Sequence, residues 1–159
     1  MKDVPSSRYS MKNLDILLID DDIAHQKGVL NSISKKPFKN GVFTYNDGKE
    51  ALHQLDRKEK AMDQILVFMD IHTPFFNGWS FLDELQHKDY QYKVNVLIIA
   101  SATSLSEKKK LNQYPQVIGY LEKQSSLKII LDVIDLFDNN LVISSQGSKT
   151  TLRWPKLLS

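Results

Sequence analysis

The chain has 159 residues, 42% hydrophobic and 25% charged, which suits one soluble domain with a sizeable core. Its formal net charge of +2, with Lys108-Lys109-Lys110 as the one basic run, argues against a nucleic-acid or anionic-membrane binder, because such proteins concentrate positive charge on one face. The absence of cysteine excludes disulfides and thiolate metal sites and leads us to expect a cytoplasmic protein; residues 1–13 lack a signal-peptide core, and no apolar run is long enough to span a bilayer.

A polar N-terminal extension, residues 1–13, leads into a predicted strand at Leu14–Ile19, which ends on Asp20-Asp21-Asp22. Asp22 reads as the N-cap of a helix over Ile23–Lys35, with Ile23, Leu30 and Ile33 on its apolar face. A short strand at Val42–Tyr45 turns through Asn46-Asp47-Gly48 into a helix at Gly48–Lys58. The third strand, Ile65–Met69, ends on Asp70, and Asn77-Gly78 opens a helix reaching Lys88, with Phe81, Leu82 and Leu85 facing inward. The fourth strand, Val94–Ala100, ends on Ser101 and precedes a helix at Ser106–Gln113, where the three lysines read as a solvated face. The fifth strand, Val117–Leu121, ends on Glu122-Lys123 before a last helix at Ser125–Asp138.

That last helix carries two apolar stripes. Leu127, Ile130, Leu131, Ile134 and Phe137 would pack on a sheet, while Ile129, Val133 and Leu136 would form a second stripe needing cover. A second subunit, a signalling partner or the tail (residues 139–159, with Leu141, Val142, Ile143, Leu152, Trp154 and Leu157) could supply it. The tail is too short for a helix-turn-helix output domain, so none is expected.

Five βα units in series call for an α/β fold, a parallel sheet with helices on both faces and right-handed crossovers. Strands one, three and four are nearly continuous apolar runs, as strands covered on both faces are. In such sheets ligands sit at the carboxyl ends of the strands, where the strand order reverses. Those ends carry Asp20-Asp21-Asp22, Asp70, Ser101 and Lys123. If strands one and three are neighbours, at least three carboxylates converge, and like charges that close need a cation. With only oxygen ligands on offer a hard ion is implied, and Mg²⁺ suits two carboxylates plus water and a phosphoryl group. Singly, each residue has a bland reading as a cap, a turn residue or a solvated charge. Packing needs alone are a poor explanation for the full set, in order.

The segments DILLIDDD (15–22), ILVFMDIHTPFFNGWSFLDEL (65–85), VLIIASA (96–102) and VIGYLEKQ (117–124) together resemble the receiver domains of two-component response regulators, from about Leu14 to Phe137. The resemblance implies a flavodoxin-like, doubly wound five-stranded sheet of order 2-1-3-4-5, with the receiver at 14–138. It implies that Asp70 is the phosphoacceptor, and that Asp20, Asp21, Asp70 and the main-chain carbonyl of His72 organise Mg²⁺, Asp21 directly and Asp20 directly or through water. Ser101 and Lys123 would meet phosphoryl oxygens, and Tyr120 would be the aromatic whose rotamer follows Ser101. His72 and Thr103 would modulate at the rim. The implied donor is a sensor histidine kinase or a histidine phosphotransfer protein, and the output is contact with a downstream protein. A homodimer through helix four, strand five and helix five is a further expectation, with no direct nucleic-acid contact, no membrane insertion and no enzyme activity beyond self-phosphorylation and self-dephosphorylation.

This chain departs from the family in having Gln124 where proline usually follows the strand-five lysine through a cis peptide. A cis bond before a non-proline residue costs roughly 3–4 kcal/mol, so the expectation is a trans loop that aims Lys123 differently. Thr73 and Asn77 also differ from common family residues, tolerably. His25, His53 and His87 read as solvent-facing. Two other readings stay open: a haloacid-dehalogenase-like phosphohydrolase using Asp20 and Asp22, and a pseudo-receiver that binds without taking phosphate.

Overall fold

The computed structural model describes residues 14–36, 41–58 and 63–138. The N-terminal extension and the tail, including the tail residues offered as cover, lie outside the described residues. The elements run β1 (Leu14–Ile19), α1 (Ile23–Ser34), β2 (Val42–Tyr45), α2 (Gly48–Lys58), β3 (Gln64–Asp70), α3 (Gly78–Leu85), β4 (Val94–Ala100), α4 (Leu105–Leu111), β5 (Val117–Glu122) and α5 (Ser126–Asp138). The strands form one parallel sheet of order β2-β1-β3-β4-β5, as the resemblance implied.

Side-chain alternation along the strands divides the apolar residues into two cores. Leu17 and Ile19 of β1, with Val67 and Met69 of β3, face α2 and α3 and pack with Leu52, Leu55, Phe81, Leu82 and Leu85. Ile16 and Leu18, with Leu66 and Phe68, face the other way onto Val29 and Ile33 of α1 and Ile130, Val133 and Ile134 of α5. β1, β3 and β4 are covered on both faces, which is why they read as unbroken apolar runs.

Local chemistry sets the element ends. Asp22 caps α1, accepting from the His25 amide at 3.1 Å. Asn77 caps α3 in the same way, accepting from the Ser80 amide at 3.1 Å. Gly78 follows because α3 starts hard against the end of β3: a Cβ there would stand 2.8 Å from the Ile71 Cα. α3 stops at Leu85, short of the expected Lys88, where the chain tightens and turns Tyr90 into the core with its hydroxyl donating to Asp56 at 2.7 Å. α4 starts at Leu105, one residue before the expected Ser106. Ser104 and Glu107 close a capping box there, with Glu107 Oε2 accepting from the Ser104 amide at 2.8 Å.

Two helix faces differ from expectation. In α1 the buried stripe is Gln26, Val29 and Ile33, whereas Ile23 is 50% exposed. Ile23 is the first helical residue and stands at the rim beyond the core, so the polar Gln26 takes the inward place. In α5, Val133 belongs to the core and Leu127 is 42% exposed, the reverse of the expected assignment. Both phases satisfy a spacing of three and four. Packing beside α1, with an ion pair from Lys36 to Asp135, selects the stripe Ile130, Val133 and Ile134. The second stripe thus loses its central member, and Ile129 and Leu136 are left half-buried. The lysine run of α4 is a solvent-facing one, as expected, with Lys109 and Lys110 exposed and Lys108 half-buried, and two of its ammonium groups lie over aromatic rings. Lys108 Nζ lies 4.9 Å from the Tyr120 ring centre and Lys110 Nζ 4.1 Å from that of Trp79.

The α5 assignment is testable by denaturation. Val133→Asp buries an unpaired carboxylate and is expected to cost more than about 3 kcal/mol. Leu127→Asp lies at the rim and is expected to stay within about 0.5 kcal/mol. A lower urea midpoint for Leu127→Asp than for Val133→Asp would restore the opposite phase.

Candidate functional site

The carboxyl edge of the sheet gathers the predicted residues. β1 and β3 are neighbours in register, with Ile19 opposite Met69, so Asp20 and Asp70 leave the sheet side by side. Asp20 is 1% and Asp70 6% exposed, while Asp21 is exposed at the mouth. The three carboxylates each present an oxygen within 4.8 Å of the others. This all-oxygen donor set fits a hard divalent cation.

Lys123, at the end of β5, enters between the two buried acids. Its Nζ lies 2.7 Å from Asp70 Oδ2 and donates to Asp20 Oδ1 at 3.0 Å. Peptide bonds are trans throughout the described residues, as Gln124 led us to expect, but the expected change of aim does not follow: Lys123 reaches both carboxylates. Burial pulls the Lys123 pKa down, but hydrogen bonds to Asp70 and Asp20, with their charges, outweigh it and raise the pKa above its ordinary value.

Asp20 is held on every side. Oδ1 also accepts from the Asp22 amide at 2.8 Å, and Oδ2 meets Nδ1 of His25 at 2.7 Å. Burial would raise its pKa; the hydrogen bonds from His25, the Asp22 amide and Lys123, with the charge of Lys123, win and lower it. Its main-chain carbonyl accepts from Gln26 Nε2, which also donates to the Tyr45 carbonyl at 3.2 Å. Asp70 Oδ1 accepts from the His72 amide at 2.9 Å.

The remaining predicted residues stand around this centre. Ser101 follows β4 and is exposed, and Thr103 is half-buried beyond it. Tyr120 is 38% exposed on β5, its ring under the Lys108 ammonium. His72 Nε2 faces Glu107 Oε1 at 3.4 Å, linking the loop after β3 to the start of α4. That loop is pinned by Thr73, which is buried and donates to the Phe76 carbonyl at 3.2 Å. Phe75, between them, takes φ 64° and is fully exposed. Asp22, the second acid of the hydrolase reading, is occupied in capping α1.

Sequence reasoning missed three site residues. His25 was expected to face solvent; its side chain is 13% exposed and bound to Asp20, because the first turn of α1 folds back over the β1 end. His53 and His87 are exposed, as expected. Gln26 carried no sequence signal beyond sitting among apolar positions. Glu107 did carry one, the Ser104-x-x-Glu107 spacing of a capping box.

A family profile of the response regulator receiver domain matches residues 16–135, well over half of the chain. The chain belongs to that family. Receiver domains are phosphoacceptor signalling domains, and the solved structures resembling this one agree on the fold. A two-component response regulator from Cytophaga hutchinsonii superposes with TM-score 0.67 at 22% identity, over 80% of this chain and 98% of that one. The phosphorylated cyanobacterial phytochrome response regulator RcpA gives 0.65 at 20% identity, over 82% and 96%. Among curated proteins, a protein-glutamate methylesterase/protein-glutamine glutaminase of Geobacillus kaustophilus (strain HTA426) is 28% identical over 94 residues. The match covers 59% of this receiver chain but only 25% of that protein. No helix among the described residues of the receiver is long and apolar enough to cross a membrane.

The lowered Asp20 pKa fixes the sign of an acid effect. Its contribution to stability is complete above the unfolded pKa and is lost as pH falls through the folded one. In chelator, the wild-type receiver is expected to lose stability more steeply than Asp20→Asn as pH falls below about 4. Urea unfolding across that range checks it, and parallel slopes would show that Asp20 is not held below its ordinary pKa.

Proposed function

We propose that this receiver takes a phosphoryl group onto Asp70 from a phosphohistidine of a kinase or phosphotransfer protein. The observation that supports this reading most is the Lys123 ammonium lodged between Asp70 and Asp20, with Asp21 completing an oxygen-only cluster. A carboxylate attacks phosphorus poorly because both are negative, so the site must supply positive charge. Asp20, Asp21, Asp70 and the main-chain carbonyl of His72 would hold Mg²⁺, which when bound neutralises the carboxylates and the phosphoryl oxygens.

The chain's own residues do the rest. An Asp70 oxygen forms the new O–P bond as the N–P bond of the donor breaks, and the departing imidazole keeps the electron pair. Lys123 then meets one phosphoryl oxygen and the Ser101 hydroxyl donates to another. Hydrolysis of the acyl phosphate ends the signal, and His72 and Thr103 at the rim tune its lifetime. Tyr120 follows Ser101 inward and leaves Lys108, altering the face formed by α4, β5 and α5. That face contacts a downstream protein or a second copy of the chain. The receiver occupies residues 14–138 between two flanking segments and works in the cytoplasm. Occupation of Asp22 as the α1 cap tells against the hydrolase reading.

Incubation with acetyl phosphate and Mg²⁺ tests the assignment. Asp70→Asn or chelator is expected to abolish acid-labile labelling, and Lys123→Ala to slow it at least tenfold. Undiminished label on Asp70→Asn would overturn the assignment, and label on Asp20 would favour the hydrolase.

Coupling to the output face has its own test. Mg²⁺ with beryllofluoride is expected to bury Tyr120, so that acrylamide quenching or ring NMR shifts of Tyr120 change in wild type and not in Ser101→Ala. Identical spectra with and without the analogue would remove Tyr120 from the mechanism.

A further inference from the structure

The histidine on the first turn of α1 has no part in the phosphoryl-transfer reading, although it makes one of the shortest side-chain contacts at the site. We propose that His25 is a positioning residue for the cation site, acting through Asp20: its ring N–H fixes Oδ2 so that Oδ1 is presented to the space shared with Asp21 and Asp70. The inference rests on the reading of those three carboxylates as the cation site.

Three observations carry it. First, the contact is direct and sheltered: Nδ1 lies 2.7 Å from Asp20 Oδ2, the His25 side chain is 13% exposed and that of Asp20 is 1% exposed. A carboxylate only accepts, so Nδ1 carries the proton in this contact. Second, the two oxygens of Asp20 have separate partners. Oδ1 takes Lys123 at 3.0 Å and the Asp22 amide at 2.8 Å, while Oδ2 takes His25. The His25 bond therefore does not compete with the partners of Oδ1. Third, the ring is itself held in place. The His25 amide donates to the N-cap Asp22, and the next residue, Gln26, donates to the Asp20 carbonyl. Consecutive residues of one helical turn thus fix both the carboxylate and the backbone of Asp20.

A carboxylate free to rotate about χ2 samples orientations that waste its charge on the protein. One clamped at the distal oxygen offers the other in a constant direction. Partners of this kind, one bond removed from the ion, set metal affinity through orientation, and their loss typically weakens binding 10–100-fold. Asparagine places an amide N–H close to where Nδ1 sits, whereas phenylalanine keeps the ring volume and lacks the donor.

Calorimetric titration of Mg²⁺ into the unphosphorylated full-length protein tests the proposal. Wild type and Asp21→Asn establish whether the carboxylates are the cation site at all. If Asp21→Asn binds as wild type does, the reading of the site fails, independently of His25. Given that site, His25→Ala and His25→Phe are expected to bind about tenfold more weakly, and His25→Asn to stay within a factor of about three of wild type. If His25→Ala does not fold, His25→Phe decides. A merely structural histidine would lower thermal stability in chelator without moving the Mg²⁺ affinity. Wild-type affinity in the Phe variant, or equal weakening in the Asn and Phe variants, would overturn the proposal.

Discussion

Everything at the carboxyl edge of the sheet depends on one ammonium group between two buried acids. Asp20 and Asp70 come from adjacent parallel strands, and Lys123 must reach them from β5, with β4 between it and β3. Neighbouring strands are about 4.8 Å apart, so only a long, flexible stem can carry a charge that far. Removing one member of such a cluster leaves a buried charge uncompensated, which is more costly than the intact cluster is stabilising. The fold accordingly commits three strand ends to a balance of charge that no single element could keep.

The amino end of α1 extends this constraint into the scaffold. Gln26 donates to the carbonyls of Asp20 and Tyr45, joining the ends of β1 and β2 beneath the acidic cluster. His25 takes the outer oxygen of Asp20. A polar residue at the head of an apolar stripe is thereby satisfied, because its amide meets backbone carbonyls at the ends of two parallel strands. Asp20 is thus held at both its carboxylate and its backbone carbonyl.

Most of the fold was legible because its signals are local or repeated. The strands buried on both faces announced themselves as apolar runs, and Asp22 and Asn77 marked helix starts. The site was legible because its acids and its lysine each follow a strand directly, so the topology alone brings them to one edge. What escaped depends on rotation and reach. The phase of α5 could not be chosen by spacing, since Leu127 and Val133 exchange places on a turn of the helix. Packing beside α1 decided it. His25 escaped because a histidine five residues past Asp20 can reach its carboxylate only when the loop between them folds back. Gln124 suggested a redirected Lys123, yet the ammonium reaches both Asp20 and Asp70.

Glu107 divides its two oxygens between separate tasks. Oε2 accepts from the Ser104 amide and hydroxyl and so defines where α4 begins, while Oε1 faces His72 on the loop after β3. The helix and the loop therefore meet at one carboxylate. Sliding α4 along its axis, or swinging the loop outward, lengthens one set of bonds as the other is kept. In mechanical terms the junction is a light latch: the His72 contact is 3.4 Å long and half exposed, so the loop can part from α4 while the helix keeps its end-cap.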